Sequence, residues 1–341
     1  MAVNKDAVIE YMLNLIDRKD KKTVSKTTEY FGISKSGVYN YLNELIESGD
    51  VAKNADGIRL TYKQYDFLYN NALRLDEDKI FDKDIAPLVS DTPTNVKSVW
   101  RYAFTEMMNN AIEHSAAKRI LVSSRKNRLK TRLLIHDDGV GIFKNIQQFL
   151  MTERGEEASL EECAAMLFAG KFTTAKSMHS GEGIFFTSHL MDTLMIISDK
   201  VVFTRNNFCD TKITDFDKFE KMGGGTLVYM ELYNHSKKTT REVFDRYASI
   251  DDGFIKTSIP IAHFFSSGNP ISRSEARRLG ELVMKFEEID LDFSGVEEVG
   301  QAFVHELFVV WQGRNPEKKL NVLSASENVN YMIKRVLNTK S

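Results

Sequence analysis

An apolar run that ends in acidic residues and alternating glycines constrains the fold of this chain most strongly. The segments 119–124 and 130–136 are rich in strand-forming residues and flank a polar turn, which predicts two paired strands. The second strand leads into Asp137, and Gly139 and Gly141 follow at alternate positions. A carboxylate at a strand end can accept a hydrogen bond from an exocyclic amine, as on adenine, and glycines let the backbone pass close to a flat base. The same residues also fit a plain tight turn.

A second signal lies 27 residues earlier than this loop, in the helical segment 104–115. Glu106, Asn110 and His114 are spaced i, i+4, i+8, so they share one edge of a helix whose other positions are largely apolar. A carboxamide oxygen can ligate a hydrated Mg²⁺ ion, and a nearby carboxylate can hold and deprotonate a water molecule. Polar residues on a solvated helix face give the same spacing.

Two further glycine motifs follow in the chain. Gly181 and Gly183 precede an apolar helix, and backbone N–H groups at a helix start can bind phosphate. Thr226 follows three glycines at the start of a strand, where its hydroxyl could reach a carboxylate or a water molecule near a bound base. Each motif alone is weak evidence for a nucleotide site. The evidence comes from the order in which the four motifs follow one another.

In order, Glu-x-x-x-Asn, Asp-x-Gly-x-Gly, Gly-x-Gly and Gly-Thr resemble the four ATP-site boxes of the GHKL superfamily. This superfamily includes gyrase-type, histidine-kinase and anti-sigma-factor ATP-binding domains. The resemblance covers roughly residues 85–240. It implies an α/β sandwich, the Bergerat fold, that binds ATP with Mg²⁺.

The resemblance also implies a role for each matching position. Asn110 would hold the metal ion and Asp137 the adenine amino group, with Gly139 and Gly141 bordering the base. Residues 143–180 would form a mobile cover over the phosphates. The remaining expected nucleotide-binding residues are His114, Lys176 (or Lys171), Gly181, Gly183 and Thr226.

Glu106 separates the branches of this superfamily. Sensor histidine kinases usually have Asn at its position, whereas gyrase-type and anti-sigma-type members have Glu and use it as the general base. No His occurs before His114, and the His305-Glu306 dipeptide lies downstream of the ATP boxes rather than upstream. Glu106 is therefore the expected catalytic residue, and the sequence argues against histidine autophosphorylation.

Residues 1–62 predict three helices followed by a hairpin, the order of a winged helix-turn-helix. In that motif the third helix would offer its polar residues to a DNA groove, and the wing would contact phosphates. The candidate DNA-binding residues are Lys35, Ser36, Tyr39, Asn40 and Arg59, with Lys53 as a further wing residue. Charges in this segment nearly balance, so a protein-interaction or dimerisation module of the same shape is the alternative.

Residues 63–84 are interpreted as a connector, 85–245 as the ATP-binding domain, and 246–341 as a small α/β layer domain. The stretch 292–296, a strand end followed by a helix, resembles the STAS domain of anti-sigma-factor antagonists and the STAS-like domain found beside GHKL modules. Antagonists carry a phosphorylated Ser near the place of Gly300 and Gln301. Neither residue can be phosphorylated, so that switch is not expected here.

Composition bounds the remaining choices. The 341 residues carry a net charge of -2, which excludes a polycation that coats nucleic acid or an anionic membrane. The two cysteines, Cys163 and Cys209, lie outside any CxxC pair, and no segment reaches the ~18 apolar residues of a spanning helix. We therefore expect a cytoplasmic protein without a membrane partner.

The sequence predicts an α+β multidomain regulator that binds Mg·ATP and slowly hydrolyses it to change its contacts with DNA, a protein partner or its own domains. Two alternatives stay open. The same site could pass phosphate to a partner's hydroxyl, as an anti-sigma-type Ser/Thr kinase does, or it could sense nucleotide without turnover. A homodimer is compatible with all three.

Overall fold

The computed structural model describes residues 4–55, 57–170, 182–199, 201–206, 224–249, 253–265 and 268–338. Within these ranges the chain is a mixed α/β protein with separate hydrophobic cores. The α+β multidomain class predicted from the sequence is confirmed at this level.

The N-terminal unit consists of three helices and a hairpin, as the sequence predicts. Its elements are α1 (Lys5–Asp17), α2 (Thr23–Phe31), α3 (Lys35–Glu47), β1 (Val51–Asn54) and β2 (Gly57–Leu60). Ser34 caps α3 by accepting a hydrogen bond from the backbone N–H of Gly37. Gly32 ends α2 in the left-handed conformation, which allows the tight turn into α3.

The central unit is built on a six-stranded antiparallel sheet in the order β3-β4-β5-β8-β6-β7. Its strands are β3 (Lys63–Asn70), β4 (Arg119–Lys126), β5 (Lys130–Asp137), β6 (Thr193–Ser198), β7 (Val201–Asn206) and β8 (Thr226–Tyr233). The sequence analysis assigned residues 63–70 to a connector. In the structure they pair along their whole length with β4.

Helices cover one face of this sheet. Short helical segments come first, at Asn71–Leu73, α4 (Glu77–Ile80), Phe81–Ile85 and Ala86–Val89. Four longer helices follow: α5 (Thr94–Glu113), α6 (Ile142–Arg154), α7 (Leu160–Ala169) and α8 (Gly183–Leu190). Buried residues of α5 recur at helical spacing, which turns one side of this 20-residue helix into the core: Val96, Val99, Trp100, Ala103, Phe104, Met107, Met108 and Ala111. The polar edge that carries Glu106 is left facing away from that core.

The C-terminal unit surrounds a three-stranded parallel sheet in the order β11-β12-β13. It contains α9 (Thr240–Tyr247), β9 (Ala248–Ser249), β10 (Gly253–Phe254), β11 (Lys256–Pro260), α10 (Ile261–Phe264), α11 (Arg273–Val283), β12 (Glu288–Asp292), α12 (Gln301–His305), a π-helical stretch Glu306–Trp311, α13 (Gln312–Arg314), β13 (Lys319–Leu323) and α14 (Glu327–Asn338). Parallel strands alternating with helices give the α/β layer domain predicted for this segment.

The N-terminal unit is attached to the sheet through buried charges. Asp17 of α1 contacts Lys130 of β5 at 2.7 Å, and Lys130 contacts Glu231 of β8 at 3.1 Å. Arg132 binds Glu231 at 2.6 Å, while Leu129, in the β4–β5 turn, packs in the core of the N-terminal unit. The N-terminal unit therefore rests on the end of the sheet where β5 begins.

No helix among the described residues combines the length and the apolar character that crossing a membrane requires. Cys163 is fully buried, and burial raises the pKa of its thiol to about 12, as expected for an inert cysteine. Cys209 lies outside the described residues.

Candidate functional site

Three strand ends meet at the opposite end of the sheet. Asp137, the last residue of β5, lies opposite Thr226, the first residue of β8. Thr226 in turn lies opposite Ser198, the last residue of β6. The antiparallel register therefore places two residues predicted for the site, Asp137 and Thr226, side by side, although they are 89 positions apart in the chain.

Asp137 is a buried carboxylate, with 4% of its surface exposed. Its Oδ1 accepts a hydrogen bond of 2.9 Å from the backbone N–H of Gly139. Burial raises the pKa of Asp137 to about 6, although hydrogen bonds from the backbone of Gly139 and Thr226 act in the opposite direction. A polar group kept in such a place at an energetic cost is typical of a functional site.

The neighbouring Asp138 has a different role. Its carboxylate accepts hydrogen bonds from the backbone N–H groups of Lys118 and Arg119 and pairs with the Arg119 side chain at 3.0 Å. It thus fixes the start of β4, and Asp137 alone of the two acidic residues belongs to the strand-end cluster.

Ser198 is a site residue that the sequence analysis missed. Its hydroxyl accepts a hydrogen bond of 3.1 Å from the backbone N–H of Ile142 and donates one of 3.1 Å to the carbonyl of Gly225. The same Ile142 N–H lies 3.0 Å from the Thr226 hydroxyl. Ser198 and Thr226 therefore tie the loop after Asp137 to the glycine turn before β8. The available signal was a hydroxyl that follows four apolar residues at the end of β6.

The glycines of this region permit contacts that a side chain would block. A Cβ on Gly139 would overlap the carbonyl of Ser115, which accepts a 2.8 Å hydrogen bond from Val140. Gly141, with φ of +84°, lies against Ser198 and Asp199. These contacts bring the loop after β5 against the end of α5.

Gly225 completes the same arrangement. It has φ of +83°, and a Cβ there would overlap the carbonyl of Asp137. The turn before β8 can therefore lie directly on the end of β5.

The polar edge of α5 runs beside this cluster. Glu106, Asn110 and His114 are all half-buried, as expected for residues that border a cleft. The carbonyl of His114 accepts a hydrogen bond of 3.1 Å from the side-chain amide of Asn145, which joins the end of α5 to α6. Glu106 and Asn110 lie one turn apart within α5, whereas His114 follows the last helical residue, Glu113.

Helix α8 approaches α5 at Glu106. A Cβ on Gly183, the first residue of α8, would overlap Oε2 of Glu106. Tyr102, one turn before Glu106, has its pKa raised by burial and by the negative charges of Glu106 and Glu182. Gly183 and Glu106, predicted for one site from motifs 77 residues apart, are therefore in contact.

Three expected phosphate-binding residues, Lys171, Lys176 and Gly181, lie outside the described residues. Within the described ranges, no group of three or more His, Cys, Asp and Glu side chains is arranged to hold a metal ion.

The candidate DNA-binding residues are all exposed on the N-terminal unit. Lys35, Ser36, Tyr39 and Asn40 are exposed along α3, and Arg59 is exposed on β2. Tyr39 keeps 51% of its surface accessible. The apolar positions of α3, Val38, Leu42 and Leu45, face the core instead.

Comparison with known families identifies one part of the chain. Residues 275–330 match the STAS-like domain of unknown function (DUF4325). The STAS-like character predicted for the C-terminal segment is confirmed, and the match runs from the first turn of α11 to the first turn of α14. No curated protein matches the chain significantly.

Proposed function

We propose that the central unit is a GHKL-type domain that binds Mg·ATP and slowly hydrolyses it. The observation that carries this proposal is the convergence of the four sequence motifs. Asp137, Gly139 and Thr226 meet at adjoining strand ends, while Gly183 contacts Glu106 on the helix beside them. Motifs that were unrelated structural turns would have no reason to assemble at one end of one sheet.

Adenine fits the Asp137 end of the site. A buried carboxylate that already accepts backbone hydrogen bonds can accept one more from an exocyclic amine, because an ionised carboxylate has about four acceptor positions. Gly139 and Gly141 leave the adjoining backbone without side chains. A guanine base offers a carbonyl oxygen where adenine has its amine, so Asp137 would select against it.

Phosphate and metal fit the α5–α8 end. Asn110 would hold Mg²⁺ through its amide oxygen, and the ion would neutralise phosphate charge when bound. Glu106 would orient a water molecule and accept its proton. The contact with Gly183 fixes the position of the Glu106 carboxylate relative to the N-terminus of α8.

The decisive experiment is a calorimetric titration of the full chain with ATP in the presence of Mg²⁺. We expect binding of ATP and not of GTP, and we expect Asp137→Asn to abolish it. Asp138→Asn is the matched control, since that carboxylate holds the start of β4 instead. Binding that survives Asp137→Asn, or that does not occur in the unmodified chain, would refute the proposal.

The fate of the γ-phosphate separates hydrolysis from phosphotransfer. Incubation with γ-labelled ATP should release free phosphate from the unmodified chain and from Asp138→Asn, and much less from Glu106→Gln. Label that moves instead to a serine or threonine of an added protein would support the kinase alternative. If bound ATP remains intact, the remaining alternative is a protein that senses nucleotide without turnover.

We also propose that the N-terminal unit is a winged helix-turn-helix that binds DNA. The supporting observation is the row of exposed polar side chains on α3, the helix that follows a glycine turn in this motif. The STAS-like domain is the expected surface for a protein partner. Its place next to an ATP site suggests that nucleotide state regulates these contacts.

A further inference from the structure

Helix α8 belongs to two parts of the molecule at once. Its first residue, Gly183, abuts Glu106 on α5. Two and three residues later, Phe185 and Phe186 are fully buried among residues of the C-terminal unit, including Ile259 and Phe264. One turn of helix therefore separates the candidate catalytic carboxylate from the core of the STAS-like region.

Aromatic contacts extend this connection to α9. The ring of Phe186 lies 4.3 Å from the ring of Phe244, and Phe244 lies 5.2 Å from Tyr102 in an edge-on arrangement. Phe185 packs 5.0 Å from Tyr247 at a right angle. Because Tyr102 precedes Glu106 by one helical turn on α5, the helix that carries Glu106 is held by the same cluster.

The preceding helix, α7, is held by the C-terminal unit as well. The Thr257 hydroxyl of β11 donates a hydrogen bond of 2.5 Å to the carbonyl of Ala169, the last residue of α7, in a buried setting. Arg278 of α11 pairs with Glu162 near the start of α7. Both helices that follow α6 therefore rest on the same domain.

We propose that the C-terminal STAS-like domain regulates the ATP site through α8, by setting the distance between Gly183 and Glu106. This inference rests on the proposed ATP-binding function and adds the path of its control. A helix of eight residues is only about 12 Å long, so a shift at Phe185 and Phe186, its third and fourth residues, moves Gly183 as well. A partner that shifts the part of the C-terminal unit in contact with Phe185 and Phe186 would thereby change turnover at Glu106.

The effect must also run in the opposite direction, because coupling between two binding events is reciprocal. Occupation of the nucleotide site should slow amide hydrogen exchange in β12, which lies within the C-terminal core and not at the site. Exchange in β1 should not change, since that strand belongs to the separate N-terminal core.

The test compares two identical substitutions in the same core. Phe186→Leu removes the contacts of α8 with Phe244, whereas Phe303→Leu removes a fully buried ring that packs on Phe265 instead. ATP affinity, the hydrolysis rate and the exchange of β12 with and without Mg·ATP are measured for the full chain and both variants. Circular dichroism and melting confirm that each variant is folded.

We expect Phe186→Leu to change the hydrolysis rate by about fivefold or more and to abolish the ATP-dependent protection of β12. Phe303→Leu should leave both within about twofold of the unmodified chain. Equal behaviour of the two variants, with ATP binding intact, would overturn this inference and leave the proposed function standing. An unmodified chain that binds no Mg·ATP would remove the proposed function and this inference with it.

Discussion

At the scale of single residues, the buried carboxylate of Asp137 should lower stability while it serves the proposed binding of ATP. Its pKa of about 6 lies above the ordinary value of 3.8, so the native state binds more protons than the unfolded chain between these values. Stability therefore falls as pH rises from about 4 to about 6, and the ionised carboxylate costs up to about 3 kcal/mol at pH 7.

We therefore predict that Asp137→Asn raises the melting temperature at pH 7 while it removes ATP binding. The gain should shrink as the pH is lowered toward 4, because Asp137 is then protonated and neutral in the unmodified protein. Calorimetric melting at several pH values measures this difference. A variant that is less stable at pH 7 would show that the carboxylate stabilises the fold.

The close contact between Gly183 and Glu106 can be tested by a single added methyl group. In Gly183→Ala the new methyl group would displace the Glu106 carboxylate, which sits at the flexible end of its side chain. We expect the hydrolysis rate to fall by about 10- to 100-fold, with little change in melting temperature.

Gly313→Ala is the matched control for that substitution, because no atom lies within 4 Å of the added Cβ. It should leave the hydrolysis rate unchanged. Equal rates in Gly183→Ala and in the unmodified protein would show that Glu106 does not depend on this contact.

The order of four short motifs predicted the neighbourhood of Asp137 and Thr226 and that of Glu106 and Gly183, although each motif alone also fits a plain structural turn. Ser198 escaped detection since a serine at the end of a buried strand has no spacing relative to the other motifs. Its role depends on the antiparallel register that places it opposite Thr226. That register is a property of the folded sheet.

At the scale of whole elements, β3 marks the limit of sequence reasoning. Phe67 and Tyr69 alternate along β3 and pack against the central core, but the other six side chains of the strand are exposed, so the alternating pattern is short. Its conformation is set by pairing with β4 at the edge of the sheet. In contrast, α5 was predictable because its buried residues recur at helical spacing.

The hydroxyl of Ser198 joins β6 to β8 and to the loop after β5. Ser198→Ala would leave the carbonyl of Gly225 without its 3.1 Å donor and weaken the anchoring of the Ile142 N–H. We expect a loss of about 1–3 kcal/mol in unfolding free energy and weaker ATP binding.

Ser188→Ala is the control for the Ser198 substitution. Its buried hydroxyl donates to the carbonyl of Phe185 within the same helix, so its loss affects no contact between strands. Chemical denaturation of both variants measures the difference. If the two substitutions cost the same and ATP affinity is unaffected, Ser198 has no special role at the junction.

At the scale of the whole molecule, strands β5 and β8 connect the two ends of the sheet. Both strands run from the Asp137–Thr226 pair to the buried charges beside α1, a span of eight residues or roughly 25 Å. Burial alone would raise the Glu231 pKa, but Lys130 and Arg132 hold it below its usual range. Removal of one member of such a group leaves a buried charge without its partner.

We predict that Asp17→Asn destabilises the protein by about 1–3 kcal/mol, since Asp17 is the contribution of α1 to this buried group. Glu44→Gln is the control, because its pair with Lys5 is half-exposed on both sides and should contribute under about 0.5 kcal/mol. Urea denaturation followed by fluorescence compares the two. Similar small losses would mean that the N-terminal unit is held mainly by its apolar contacts.

DNA binding by the N-terminal unit would depend on where its charged side chains lie. The net charge of -2 gives the molecule no general attraction for nucleic acid, so binding must come from a local surface. Lys35, at the exposed start of α3, is positioned for a phosphate contact if α3 enters a groove. Lys35→Ala should then weaken binding to a fluorescent duplex and reduce the slope of log affinity against log salt by about 1.

Lys5 provides the control, because its ammonium group is already paired with Glu44. Lys5→Ala should leave the salt slope unchanged. If neither substitution changes the slope, or if no duplex binds at low salt, α3 is a protein-binding surface, because the same exposed row of polar side chains can serve a partner protein.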